Sequence, residues 1–188
     1  MTATVHLKEP GACTESELRQ FARLVRLAFR GSDETLEDRI LSAECLAFSY
    51  PREGELGAIA GLKAPAVRYR QELFEKAAVD ADPAEYSLDL GWVFVLPGHR
   101  GHGIGESLCR RLLARVPTTG VFSTTRPDNR SMIRILLGLG FARAGKPYPH
   151  PRRDEELAVF LRPAGSRGGL RASAGGGGSL RASWCGWN

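Results

Sequence analysis

The sequence predicts an α/β domain, and three observations carry that expectation. Helical and strand-like hydrophobic periods alternate along the chain. The clearest strand, "YSLDLGWVFVLP" at 86–97, runs into a glycine-rich turn. An amphipathic helix follows that turn at once. The 188 residues are 43% hydrophobic and 25% charged, enough apolar material for one domain with a real core.

Taken in order, "TESE" at Thr14–Glu17 is a capping-box pattern. Leu18, Phe21, Leu24, Val25 and Ala28 follow at helical spacing, and Gly31 is a stop. A second short helix is expected from Thr35 to Ala43. "CLAFSY" and "GELGAIAGL" read as two strands joined by a turn around "PREG". Pro65 can open a helix in which Val67, Arg70, Leu73, Phe74 and Ala77 share one side. This helical insertion is either a plain surface helix or the wall of a substrate pocket.

In the strand at 86–97, Leu88, Leu90, Trp92 and Phe94 alternate with Ser87, Asp89, Gly91 and Val93, and Gly91 can mark a bulge. The helix after the glycines carries Ile104, Leu108, Leu112 and Val116 until Pro117 stops it. "GVFSTT" is a further strand, "NRSMIRILLGLGF" a short helix ending at Gly140, and "ELAVFL" the last strand. The segment 164–188 is rich in Gly, Ser and Ala, and repeats "LRAS" around a GGGGS-like unit. It is expected to be a flexible tail, for which a non-native origin is one reading, and the folded domain is assigned to 1–163.

Composition excludes several classes. No apolar run approaches the roughly 20 residues of a membrane helix. The start "MTATVHLKEPG" lacks the pattern of a secretory leader, so a cytoplasmic protein is expected. Cys13, Cys45, Cys109 and Cys185 show no metal-ligand spacing, so reduced structural thiols and no metal are expected. The net charge of +5 leans on Arg167, Arg171 and Arg181 in the tail; the remainder holds 23 basic and 21 acidic residues. Charge therefore gives no argument for nucleic acid.

The run "PGHRGHGIGES" at 97–107 is where chemistry concentrates. A strand ends, small residues turn the chain, and a helix begins with N–H groups that lack intrahelical partners. With the helix dipole these form an anion site, glycines let a phosphate come close, and Arg100 adds a donor fork. A P-loop needs a lysine that this run lacks, and the Rossmann pattern needs glycine where Glu106 stands.

What fits is Arg-x-x-Gly-x-Gly: Arg100, Gly103, Gly105. This resembles the pyrophosphate-binding motif of the GNAT superfamily, the acyl-CoA-dependent N-acetyltransferases. "NRSMIRILLGLGF" looks like that family's second motif, with Asn129 ahead of the Gly140–Phe141 pair. The resemblance covers 14–162. It implies a mixed central sheet of about six to seven strands, splayed at a cofactor cleft and flanked by about four to five helices.

The resemblance also implies acetyl-CoA as cosubstrate, with no metal. Val93, Phe94 and Val95 would pair with its pantetheine arm through main-chain atoms. Arg100, Gly101, His102, Gly103, Ile104, Gly105 and Glu106 would form the diphosphate loop. Asn129 would contact the pantetheine side or cap the following helix, and both roles are compatible. Asp89 matches a position that carries a carboxylate base in some members, with Glu85 as an alternative. Many members place a tyrosine seven residues after the Asn as proton donor, and Leu136 stands there. Tyr148 is then a candidate donor or pocket wall, and a thiol of pKa roughly 8.5 can also leave unaided.

The expected activity is transfer of an acetyl group to a primary amine of a small molecule or peptide, by direct attack in a ternary complex. Two other readings stand beside it: a CoA-binding regulatory module with weakened catalysis, and an acetyltransferase acting on a protein or on aminoacyl-tRNA. No other nucleic acid and no membrane is expected as partner, and the chain is expected to be a monomer or a homodimer. The loop holding Arg152 and Arg153 can face an acidic acceptor, though a solvated loop is its simpler role.

Overall fold

A computed structural model describes residues 4–29, 35–51, 54–150 and 154–165. The Arg152–Arg153 loop, the start of the chain and the tail beyond Gly165 lie outside the described residues.

The order is β1 (Thr4–Lys8), α1 (Glu15–Phe29), α2 (Leu36–Leu41), β2 (Cys45–Tyr50), β3 (Ala58–Lys63), α3 (Val67–Lys76), β4 (Leu88–Val95), α4 (Ile104–Ala114), β5 (Val121–Thr125), α5 (Arg130–Gly138), β6 (Ala142–Pro149) and β7 (Glu156–Arg162). The strands form one sheet in the order β1-β2-β3-β4-β5-β7-β6. Only β4 and β5 pair in parallel; the other neighbouring pairs are antiparallel.

Local chemistry explains the element boundaries. The Thr14 hydroxyl accepts from the Glu17 N–H at 3.2 Å, and Glu17 Oε2 accepts from the Thr14 N–H at 2.8 Å, which is a closed capping box. Lys8 of β1 adds an ion pair to Glu17 at 2.6 Å and so ties the first strand to the first helix. α5 ends in a Schellman arrangement: Phe141 N–H donates to Leu136 O at 3.1 Å and Gly140 N–H to Leu137 O at 3.2 Å.

The sheet buries both faces, and strand residues alternate between them. On one face α4 and α5 cover Ala47, Ala58, Ala60, Leu62, Leu88 and Leu90. On the other, α1 and α2 cover Leu46, Phe48, Ile59 and Trp92. On that same face α3 covers Phe122, Val159 and Leu161.

Two strands escape a reading of periodicity. β1 is short, half exposed and at a sheet edge. β6 contains Gly145, Pro147 and Pro149, residues that speak against a strand, but it is the opposite edge strand, where proline is tolerated.

The alternation expected for β4 is also corrected. The register with β3 slips between Ile59 and Gly61, which pair with Phe94 and Gly91. The extra residue is a bulge at Trp92, whose φ is +52°. Gly91 and Trp92 consequently face the same side. After the bulge Val93 and Val95 join the α4 face, with Leu88 and Leu90, whereas Trp92 and Phe94 pack on the α1–α2 side.

Candidate functional site

β4 and β5 stay paired only at Leu88–Val121 and Asp89–Phe122. At the point where they part, the buried Ser123 hydroxyl donates to Leu90 O at 2.8 Å. Beyond it, the β4 edge from Gly91 to Val95 has no partner strand on its β5 side. The glycine turn and α4 stand at the open end of this fork.

The turn has the backbone that its composition suggests. Gly101 and Gly103 have φ of +83° and +71°, a region that side-chain-bearing residues seldom occupy. A Cβ at either position would point into open space, so the constraint is conformational and the surface there is clear for a ligand. Gly103 is the N-cap of α4 and gives no side-chain cap. The first α4 hydrogen bond to the cap is Ser107 N–H to Gly103 O at 3.0 Å, so the amides that precede it lack intrahelical partners. The Glu106 carboxylate, which would oppose an anion there, is drawn along the helix to Arg110 at 2.6 Å. Ile104 opens the helix half-buried, and Gly105 is buried against Val95, Ile135 and Val93. His102 is exposed in the turn.

Arg100 is used differently from a free phosphate fork. Its Nε donates to Val95 O at 3.0 Å, and its guanidinium lies 5.8 Å from the Phe94 ring centre. It braces the turn against the strand and presents only the outer edge of the guanidinium. His99 contacts Glu55 at 3.3 Å and joins the same turn to the approach to β3. Asn129 caps α5: Oδ1 accepts from Met132 N–H at 3.2 Å, and Nδ2 donates to Thr125 Oγ1 at 3.1 Å. Both ends of its amide are thus engaged within the chain. Leu136 is fully buried in the core under α4 and α5.

A second cluster lies on the opposite face, around Asp89. This carboxylate is 2% exposed. It is ion-paired with Lys63, its register partner on β3. The other oxygen, Oδ1, is buried and accepts no hydrogen bond among the described residues. The Lys63 ammonium also lies 5.5 Å from the Trp92 ring centre, and the Arg39 guanidinium from α2 lies 5.8 Å from it.

Two phenols complete the surroundings. Tyr69 is half exposed, yet the protein packed around its hydroxyl pushes it up to about 12, with the Asp89 charge adding to the shift and Arg39 opposing it. Burial raises Tyr148 as well, helped by Tyr69 and Asp89 and opposed by a hydrogen bond with Thr124. Both phenols therefore stay protonated at neutral pH. Glu85 lies in the turn before β4 and does not join this cluster.

The expected site residues thus fall into two groups on two faces of β4. The turn, Val93 and Val95 belong to the α4 side; Asp89 and Tyr148 belong to the α2–α3 side. Lys63, Tyr69, Arg39 and Trp92 complete the second group and escaped the sequence reading. The one signal for them was the pocket-wall role considered for the helix that carries Tyr69. Among the described residues no group of three or more His, Cys, Asp or Glu could hold a metal ion, and no helix is long and apolar enough to cross a membrane. A cavity of about 540 Å³ formed by 85–87, 118–120 and 163–164 lies where β4 and β5 begin, away from both groups.

Comparisons agree with this architecture. The model of the Acetyltransferase (GNAT) family matches residues 18–141. At the level of sequence no curated protein matches the chain. An acyl-CoA N-acyltransferase from Pseudomonas aeruginosa superposes with a TM-score of 0.64 at 18% identity, covering 86% of this chain and 99% of its own. A phosphinothricin acetyltransferase from Sinorhizobium meliloti, solved with acetyl-CoA, gives 0.64 at 19% identity, covering 88% and 90%. NAA60 of Arabidopsis thaliana, also solved with acetyl-CoA, gives 0.60 at 14% identity, covering 85% and 99%.

Proposed function

The chain belongs to the GNAT family of acetyltransferases, and on that premise we propose that it moves an acetyl group from acetyl-CoA to a primary amine, with both substrates bound at once. One observation carries the reading: two left-handed glycines lead into an uncapped helix N-terminus at the fork where β4 leaves β5.

The residues present fit the cosubstrate. The amides of 101–106, backed by the α4 dipole, are suited to a diphosphate, and the clear surface over Gly101 and Gly103 admits one. The unpaired β4 edge offers main-chain groups to an amide-bearing arm lying in the fork. When bound, acetyl-CoA supplies an activated acetyl group on sulfur. The bulge leaves Trp92 and Val93 out of the β3 ladder, so their N–H groups are the donors best placed to polarise a carbonyl at the fork.

On the chain's side, an arriving ammonium must lose a proton before it can attack. Asp89 is the acceptor for that proton, since its Oδ1 has no other partner. Lys63 holds the carboxylate in place across the β3–β4 ladder. Tyr148 serves as pocket wall and hydrogen-bond donor. With its pKa raised it is a weaker acid than a thiol of about 8.5, so proton delivery from it runs uphill. A small-molecule or peptide amine is the acceptor, and the protein works in the cytoplasm.

The test is a calorimetric titration of the purified chain with acetyl-CoA, followed by thiol release with a library of amines. Binding with turnover supports the assignment. Binding without turnover identifies a CoA-binding regulatory module instead, and absence of binding overturns both.

A further inference from the structure

We propose that the amine acceptor is a zwitterion, with a carboxylate beside its primary amine as in a free α-amino acid, and that the Lys63–Asp89 ion pair recognises it by exchanging partners. The inference rests on the acetyl-transfer reading and narrows its substrate class.

The geometry of the pair is the starting point. Lys63 and Asp89 face each other across the β3–β4 ladder. The Lys63 side chain is 19% exposed and that of Asp89 only 3%, so the ammonium is the outer layer and the carboxylate the inner one. Gly91 permits this layering: a Cβ there would lie 2.8 Å from Lys63 Cε and Nζ. The ammonium has three protons and can serve Asp89 and a ligand oxygen together. Beneath it, Asp89 Oδ1 is a buried anionic oxygen without a hydrogen bond, a state that folded proteins rarely leave uncompensated.

Charge balance then selects the ligand. A charge out of water needs a counter-charge, and removing one member of a buried pair is strongly unfavourable. A monoamine that drew Asp89 away would leave Lys63 without its partner. A plain anion that drew Lys63 away would strip Asp89. A zwitterion satisfies both: its ammonium turns to Asp89 while its carboxylate takes Lys63. The net charge of the cluster does not change. Arg39 adds a second cation beside the same Trp92 ring, 5.8 Å from its centre against 5.5 Å for Lys63. Tyr69 and Tyr148, held neutral, add no competing negative charge.

The experiment uses the full chain saturated with acetyl-CoA and three matched sets of probes: the free amino acids, their C-terminal amides, and the corresponding decarboxylated amines. Thiol release gives kcat/KM, and saturation-transfer NMR reports binding without turnover. The expected result is a preference of at least about tenfold for the free acid over its amide and amine. In Lys63→Met the acid-to-amide ratio should fall to about one, mainly through KM, while Lys63→Arg keeps it. Acetyl-CoA affinity, measured alongside, certifies the fold of each variant. Should Lys63→Met fail that check, Gly91→Ala displaces the ammonium with a smaller change and should lower the same ratio. C-terminal amides or decarboxylated amines used as well as the acids, or a ratio unchanged in the variants, overturn the inference alone. No turnover of any amine by a chain that binds acetyl-CoA overturns the functional reading and this one with it.

Discussion

Asp89 and Tyr148 share one cluster but are placed for different work. Burial, with Tyr69 and Asp89 adding to it, favours the neutral form of the phenol, while the carboxylate is held in an ion pair with Lys63. The roles separate accordingly. Asp89→Asn should lower kcat by about a hundredfold or more while leaving acetyl-CoA affinity unchanged by calorimetry. Tyr148→Phe should cost less than about tenfold in kcat, because a phenol that holds its proton so firmly contributes a hydrogen bond and not a proton. The sign of the pH effect follows. A group with a raised folded pKa keeps its contribution below its unfolded value, near 10, and loses it as the pH rises through the folded value. The rate profile of the wild type should therefore show no descending limb from Tyr148 between pH 6 and 9. A limb in that window that vanishes in Tyr148→Phe would reassign the phenol as an acid catalyst.

Among the elements, those whose residues interact within a few positions were readable, and those built by long-range pairing were not. The capping box of α1, the glycine turn and the stop of α5 are local and fell where the sequence placed them. β6 hides behind its prolines, and its strand character comes only from pairing with β7. The bulge of β4 was suspected at Gly91, but strict alternation put Trp92 beside Leu88 and Leu90. The slip that moves it to the other face is set by β3, not by β4 alone. The Lys63–Asp89 pair joins two strands separated by the whole α3 excursion, and nothing in the spacing marks it. The α1 cap yields a prediction of its own. Glu17 has a depressed pKa, first through its bond with Lys8 and then through the Thr14 N–H. Its contribution is thus present above the unfolded value of 4.5 and lost as the pH falls through the lower folded value. Glu17→Gln should lower stability by about 1 kcal/mol at pH 7 in urea unfolding, and the gap between the two proteins should close towards pH 3. A gap that persists in acid would trace the loss to packing and not to charge.

For the molecule as a whole, the proposed function makes the sheet a partition, with the cosubstrate assigned to one side, the acceptor to the other, and β4 as the shared wall. The α4 face carries the glycine turn, with Val93 and Val95 beside it. The α2–α3 face carries Lys63, Asp89 and Trp92. A single-residue bulge turns consecutive parts of one strand toward the two sides, so the fork is the place where both ligands can meet. Substitutions on opposite faces share no partners and should act independently on binding. Gly103→Val forces a branched side chain into a left-handed conformation and fills the clear surface that a ligand on the turn would use. It should weaken acetyl-CoA binding at least about tenfold, a loss of about 1.4 kcal/mol, in a chain that still unfolds cooperatively. Lys63→Met should change that affinity by less than about twofold and act on the acceptor KM. The double variant should show the sum of the two free-energy changes within about 0.5 kcal/mol. Coupling well beyond that margin would mean that the two faces communicate through β4, with the bulge at Trp92 as the element that moves.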